Sequence, residues 1–492
     1  MNFSIQSKIL PRSTASSAIV LVILGLLANG CANEKYQAKP LDVAQTSAKL
    51  RSKDTTSADF HAYLIKQGYQ ESNLPFTEWG VNELTLCALY YNSKLDVAKA
   101  QLALANATVN RANQQQSPTL GGRVAHSNQA NGDKNPWAFG LDVEIPIETG
   151  NKRQIRAEEA QHLAQVARID VAETAWQLRS QIAKDLLHYH ENIALQKQFT
   201  SDVNKQDALV KLLEKRVQLG ALSNTELNTA KLTQQKTLFS LNTEQAKSDE
   251  ILAALAYDVG LSSEKFKQVN LKPLDLDATL TNQTTLLNAP DSNNLNGKDL
   301  QEKTLLNRLD IRRSLEKYAS AESKIKLEVA KQTPDISLSP GFAFEFGDSI
   351  WSLGFSTLLN LINKNQTLIT EATQLREIEG TQFEALQAKI IGDLSQNVAV
   401  YQASLQNINQ IKLQQAAQAQ LTQKLQRQFE AGLIDRLELT QNSLNTNLLE
   451  LQLLNAQFNN LNAAVAIEDM MQRPLFDDFS MPAEANIGIK HE

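Results

Sequence analysis

The sequence predicts a mainly α-helical chain built as a tandem repeat of helix, β-hairpin, long helix and return helix, with the hairpins forming part of a membrane β-barrel. Three observations predict it. None of the 12 prolines lies between Pro146 and Pro273 or between Pro340 and Pro474, and proline breaks helix interiors, so both windows are open to long helices. Two short stretches switch from helical spacing to strict alternation, the mark of strands. Markers in the first half recur in the same order about 214 residues later, which reads as a duplication.

The elements follow in order. Residues 1–30 read as an export signal: Lys8 and Arg12 precede the apolar run Ala18–Ala28, which is too short to span a bilayer. Cys31 follows Ala28-Asn29-Gly30. This resembles a bacterial lipobox, in which the cysteine is lipidated and becomes the new N-terminus. The usual leucine three places before the cysteine is Ala28 here. Signal cleavage nearby, with an incidental cysteine, is the alternative. Ala32, next in line, fits sorting of a lipoprotein to the outer membrane. Residues 31–77 are polar and weakly patterned, an extended arm.

A first repeat spans 78–260. A helix starts near Glu78-Trp79 and carries Leu84, Leu86, Leu89, Leu95, Leu102 and Leu104 until Pro118 stops it. Cys87, alone among leucines, reads as a core residue. A hairpin covers 119–147, where Trp137, Phe139, Leu141, Val143, Ile145 and Ile147 alternate with small or polar residues. One unbroken helix is expected over 151–219, roughly 100 Å long. A tip turn at Gly220-Ala221-Leu222-Ser223 and a return helix to Tyr257 complete the repeat. Residues 261–298, with an Asn-rich patch, read as a linker.

The second repeat spans 299–473, and 474–492 is a C-terminal tail. Leu95-Asp96-Val97 recurs as Leu309-Asp310-Ile311, Pro118 as Pro334, Trp137-x-x-Gly140 as Trp351-x-x-Gly354, and the turn at Gly220 as Gly432-Leu433-Ile434-Asp435. The second hairpin covers 335–361. Leu437, Leu444, Leu451, Phe458 and Val465 keep a spacing of seven, which implies coiled-coil packing. Each long helix is expected to have two partners of about 35 residues, stacked end to end beside it.

Four strands with one apolar face each need cover. A closed barrel is the one sheet form that leaves no free edge in lipid, and four strands cannot close alone. The barrel is therefore expected to be shared between subunits, with Trp137 and Trp351 opening their strands as an aromatic belt. A soluble hairpin capping a coiled coil is the alternative.

This pattern, from Trp79 to Pro474, resembles the TolC family of outer-membrane efflux channels, most specifically at the two tip turns and at Pro118 and Pro334. The opening helix Trp79–Gln101 looks most like the heavy-metal cation efflux branch. The resemblance implies a homotrimer with a 12-stranded barrel in the outer membrane and a helical tunnel across the periplasm. It also implies a periplasmic adaptor (membrane fusion protein) and an inner-membrane pump as partners, and tip turns that face the adaptor. Glu226 and Glu438 lie six residues past the turn glycines, where three copies would set a ring of carboxylates that favours cations. Acidic residues early in a helix also simply suit its dipole.

Other chemistry is weakly signalled. Net charge is -6, from 48 basic and 54 acidic residues, and there is no basic stripe of the kind nucleic acid needs. His188-x-His190 places its rings on different helix faces. No Cys-x-x-Cys, HExxH, phosphate loop or nucleophile elbow is present. No catalysis, cofactor or bound metal is expected; conduction would be passive, driven by the pump. An exit duct for drugs or secreted proteins, or a non-conducting structural coiled-coil lipoprotein, are the rival readings.

Overall fold

The computed structural model of the protein describes residues 36–128, 135–288, 298–345, 347–357, 364–476, 479 and 481. The export segment, Cys31, the tip of the first hairpin, Leu359-Asn360-Leu361 and most of the C-terminal tail lie outside them. The chain forms two units, divided after Ser52. In the first, α1 (Val43–Arg51) is capped by Asp42, whose side chain accepts from the Ala44 and Gln45 amides, and ends on Lys49 and Arg51, both arrangements that suit a helix dipole.

The second unit holds α2 (Ala58–Lys66), α3 (Val81–Tyr91), α4 (Ser93–Ala112), β1 (Thr119–His126), β2 (Trp137–Ile147), α5 (Lys152–Gln218), α6 (Asn224–Val259), α7 (Ser263–Phe266), α8 (Leu276–Asn288), α9 (Lys298–Asn307), α10 (Leu309–Ala330), β3 (Ile336–Glu345), β4 (Asp348–Thr357), α11 (Gln366–Glu430) and α12 (Arg436–Met471). The two long helices have 67 and 65 residues, so each is about 100 Å long. Both start on an asparagine in the left-handed region, Asn151 and Asn365, with φ 56° and 58°.

The helix expected from Glu78 is two helices. Trp79 instead makes an extended bridge to Leu271, and the chain breaks at Asn92. Asn92 leaves the helical region (ψ 123°), and its side chain accepts from the Lys94 amide at 2.8 Å to start α4. The same side chain donates to the Asp258 carbonyl at 2.7 Å and so closes the end of α6. One side chain satisfies orphan groups of two helix ends, and that outweighs helix continuation. The partners before each hairpin are therefore shorter than expected, 20 residues for α4 and 22 for α10, against 36 for α6 and for α12.

The described part of the segment read as a linker, 261–288, is also structured. Phe266 of α7 is buried among Phe60, Trp79, Leu84, Cys87, Ile182 and Leu255. Around α8, Leu274, Leu276 and Leu280 pack on Leu187, Phe458 and Leu461. Fully burying a side chain such as Phe266 contributes about 1.5–3 kcal/mol, and the partly buried leucines of α8 contribute less each. Burial pushes the Cys87 thiol up from its ordinary value, which removes it as a nucleophile.

α5 meets α4, α10, α6 and α12. Ion pairs mark the seams: Lys326–Glu158 at 2.9 Å toward α10, Lys184–Asp469 at 2.7 Å toward α12, and Lys231–Glu214 at 2.7 Å from α6. α11 packs on α10 and α12, with Leu394, Val398 and Tyr401 buried against Ala464 and Ile467. The four strands form one antiparallel sheet in the order β1-β2-β3-β4.

Candidate functional site: an uncovered sheet face and paired helix tips

The strand register sorts the sheet into two faces. Directly paired residues share a face. Val124 faces Phe139, Phe139 faces Phe344, Leu141 faces Phe342, Ile145 faces Leu338 and Ile147 faces Ile336. Phe342 in turn faces Trp351, Pro340 faces Leu353 and Leu338 faces Phe355. One face is thus apolar across all four strands. The other carries Arg123, Asp142, Glu144, Ser337, Ser339, Glu345, Ser352 and Ser356. Among the described residues no other element covers the apolar face at β4, where Trp351, Leu353 and Phe355 are 76%, 73% and 79% exposed. Large apolar side chains set in a row at that exposure mark a contact with something other than water.

Among the described residues both sheet edges are also open within one chain, β1 on one side and β4 on the other. An open edge offers a row of unpaired amides and carbonyls to another strand. Trp137 opens β2, but Trp351 does not open β4. It sits three residues inside that strand, because β4 begins at Asp348, so the two tryptophans do not mark one level. Among the described residues no helix is long and apolar enough to cross a membrane.

At the far ends of the long helices the two turns have the same backbone. Gly220 and Gly432 both sit at φ 70°, the left-handed region that favours glycine. The Gly220 amide donates to the Val217 carbonyl and the Ala221 amide to the Arg216 carbonyl, both at 2.9 Å. The Gly432 and Leu433 amides repeat this onto Phe429 and Gln428, at 2.9 and 2.8 Å. Each helix ends in a Schellman motif.

The side chains at the tips differ. Asp435 caps α12, accepting from the Leu437 and Glu438 amides at 2.7 and 3.2 Å, whereas Ser223 makes no such bond to α6. The Arg216 guanidinium donates to the Asp435 carboxylate, joining the end of α5 to the second tip. That bond, helped by the two amides, holds the Asp435 carboxyl below the usual carboxylate range. The pair was readable in principle. Where the first half has Arg216 and Ser223, the second has Gln428 and Asp435, so opposite charges stand at unlike positions of the repeat.

Glu226 and Glu438 are both exposed. Glu226 lines a groove of about 660 Å³ between α5, α6 and α12, whose floor includes Leu437, Leu444 and Leu451; Glu438 is not part of that lining. Within one chain the two carboxylates therefore do not converge on one groove. Among the described residues no cluster of three or more metal-binding side chains occurs. His188 is exposed, while burial pushes His190 down to about 4, so that ring is neutral at pH 7.

No protein-family model and no curated protein matches the sequence. Solved structures do match. The outer-membrane channel OprN superposes with TM-score 0.65 at 16% identity, covering 91% of this chain and 100% of its own. The outer membrane protein VceC from Vibrio cholerae gives 0.63 at 17%, covering 81% and 97%. CusC, described for its transmembrane channel formation, gives 0.63 at 15%, covering 90% and 100%. The fold is that of outer-membrane channels. Long paired helices under a four-stranded sheet are thus an arrangement these proteins share.

Proposed function

We propose that the chain is the outer-membrane exit duct of a tripartite efflux system, a member of the TolC family that works as a homotrimer. One observation carries this: a four-stranded sheet with one uncovered apolar face and two open edges. In lipid that face is satisfied, and pairing β4 of one copy with β1 of the next satisfies the edges. Three copies give 12 strands, an even number in the range of bacterial barrels. Trp137 and Trp351 face lipid as part of an aromatic belt, at two depths.

The long helices then form the wall of a periplasmic tunnel. The turns at Gly220-Ala221-Leu222-Ser223 and Gly432-Leu433-Ile434-Asp435 face a periplasmic adaptor, and an inner-membrane pump supplies the energy. Conduction is passive, without catalysis or a cofactor. Cys31 carries the lipid that anchors the chain in the outer membrane. Glu226 and Glu438 ring the tunnel mouth, contributed by three copies rather than one. The cargo class we favour is heavy-metal cations, on the likeness of residues 79–101 to that branch; the fit to CusC is no better than to OprN and adds nothing to it.

Native mass spectrometry in detergent and planar-bilayer recording test the proposal together. A trimer with stepwise conductance is expected. A folded monomer without conductance overturns the duct and leaves a structural scaffold.

A further inference from the structure

The two halves of the chain repeat one another. In a ring of copies joined head to tail, a contact between the halves of one chain therefore has a counterpart between the second half of one copy and the first half of the next. Leu95-Asp96-Val97 of α4 recurs as Leu309-Asp310-Ile311 of α10, and the left-handed Asn151 before α5 recurs as Asn365 before α11, both 214 residues on. The tip glycines and the ends of α6 and α12 correspond at 212 residues. Within a chain α10 packs on α5, so the counterpart is α4 of one copy against α11 of its neighbour.

Exposure agrees with this mapping. Ile311 of α10 is 6% exposed, whereas its counterpart Val97 on α4 is 56% exposed, a position covered in one half and bare in the other. The sheet agrees too. Pro334 follows Pro118 by 216 residues and Trp351 follows Trp137 by 214. These offsets carry the Leu141–Phe342 pair to Phe355 and the His126 of the next copy. Both lie on the apolar face, so the mapping keeps the two faces of the sheet apart.

The charges single out one contact. Among the described residues, the halves are tied by the ion pairs Lys152–Asp335, Glu158–Lys326, His162–Glu316, Arg179–Glu468, Lys184–Asp469 and Arg216–Asp435, and by Arg313 to Asp170 and Glu173. In the counterparts Thr119 stands for Asp335, Ala372 for Glu158, Leu102 for Glu316, Ala256 for Glu468, Tyr257 for Asp469 and Ser223 for Asp435. Each of those pairs is lost. The exception is Arg313–Asp170, 3.2 Å apart, for which Lys99 and Glu384 stand. Lys99 is partly buried and Glu384 exposed, and among the described residues neither has an ion pair within its own chain.

We propose that Lys99 of each copy pairs with Glu384 of the next, which rests on the homotrimer reading above. The pair sets which faces of α4 and α11 meet.

Carbodiimide coupling of the protein in detergent tests this, because it joins an amine to a carboxylate with no spacer, the water lost going to the reagent. Native mass spectrometry of the same sample counts the copies. A trimer is expected, with a Lys99–Glu384 peptide in digests of bands that run above the monomer on a denaturing gel. Lys99→Glu and Glu384→Lys should each raise trimer dissociation at low salt, by no more than about fivefold per junction for an exposed pair. The double reversal should restore it, and 1 M salt should erase the differences. A trimer whose digests lack that peptide, or single reversals that the double variant does not rescue, overturns the pair and leaves the trimer standing. A monomeric wild-type chain overturns the trimer and the pair with it.

Discussion

Leu353→Arg separates a lipid-facing sheet from a water-facing one. Leu353 is the sixth of ten residues in β4, pairs with Pro340 and is 73% exposed. A ten-residue strand tilted by about 45° rises roughly 23 Å along the membrane normal, which places Leu353 near its middle. If the face meets water, an arginine there is a surface change within about 0.5 kcal/mol. If it meets lipid, the cost is about 2–4 kcal/mol, or about 30- to 900-fold in the folded fraction. Ser356→Arg lies on the same strand but on the opposite face, nearer the strand end, and is the control. The assay is folding from urea into lipid vesicles, followed by the mobility of unheated protein on a gel. Equal folding of the two variants would refute the membrane assignment, because an arginine carries the cost of about 2–4 kcal/mol only on a face that meets lipid near mid-depth.

Cys31→Ala should abolish lipid attachment, read as loss of the acyl mass from the mature protein; an unmodified Cys31 in the wild type would sink the lipobox assignment. Glu226→Gln with Glu438→Gln should lower cation selectivity and divalent block in bilayer recordings with little change in trimer stability, since exposed charges contribute little. Asp258, facing Asp185 of α5 and Lys94 of α4, is raised to about 6, first by burial and then by Asp185. The folded chain therefore holds this proton more tightly than the unfolded one, and this contribution to stability falls as pH rises from about 4 to 6. Asp258→Asn should flatten that slope in chemical denaturation curves; an unchanged slope removes the carboxyl pair as its cause.

Much of the fold was legible because its signals are long or repeated. A window without proline decides a 67-residue helix, and alternation over Trp137–Ile147 decides a strand. The features that escaped depend on single side chains acting at a distance. Nothing local marks Asn92 as a helix break, because its decisive bond goes to a carbonyl 166 residues away. Residues 261–298 are polar and Asn-rich, yet a few apolar side chains such as Phe266 and Leu280 suffice to seat short helices on a preformed strut. At the tips the turns were visible in their glycines, while the Arg216–Asp435 link required noticing where the two halves differ rather than where they agree.

That difference has a consequence for the proposed trimer. Across one chain the helices run in the order α6, α5, α12, α11, so the junction between the two halves is α5 against α12. It carries the Arg216–Asp435 pair and the Lys205 amine bonded to Asn447 at 2.8 Å. The junction between copies would bring α11 against α6 of the next. Those edge helices leave Leu413, Leu421, Leu232 and Phe239 uncovered, so this junction would bury apolar side chains. Salt distinguishes the two. At 1 M the screening length is about 3 Å, against about 8 Å at physiological strength, so the exposed Arg216–Asp435 pair weakens while apolar burial does not. Acid acts on the pair only late. The Asp435 carboxyl is lowered, so its contribution is complete above the ordinary carboxylate value and is lost only as pH falls through the lower folded one. Raising salt from 0.1 to 1 M at pH 7 should therefore speed amide exchange around 431–437 while the mass stays trimeric, and Arg216→Ala should reproduce that exchange at low salt. Dissociation of the trimer before the tip exchange changes would place the charged contact between copies rather than within one.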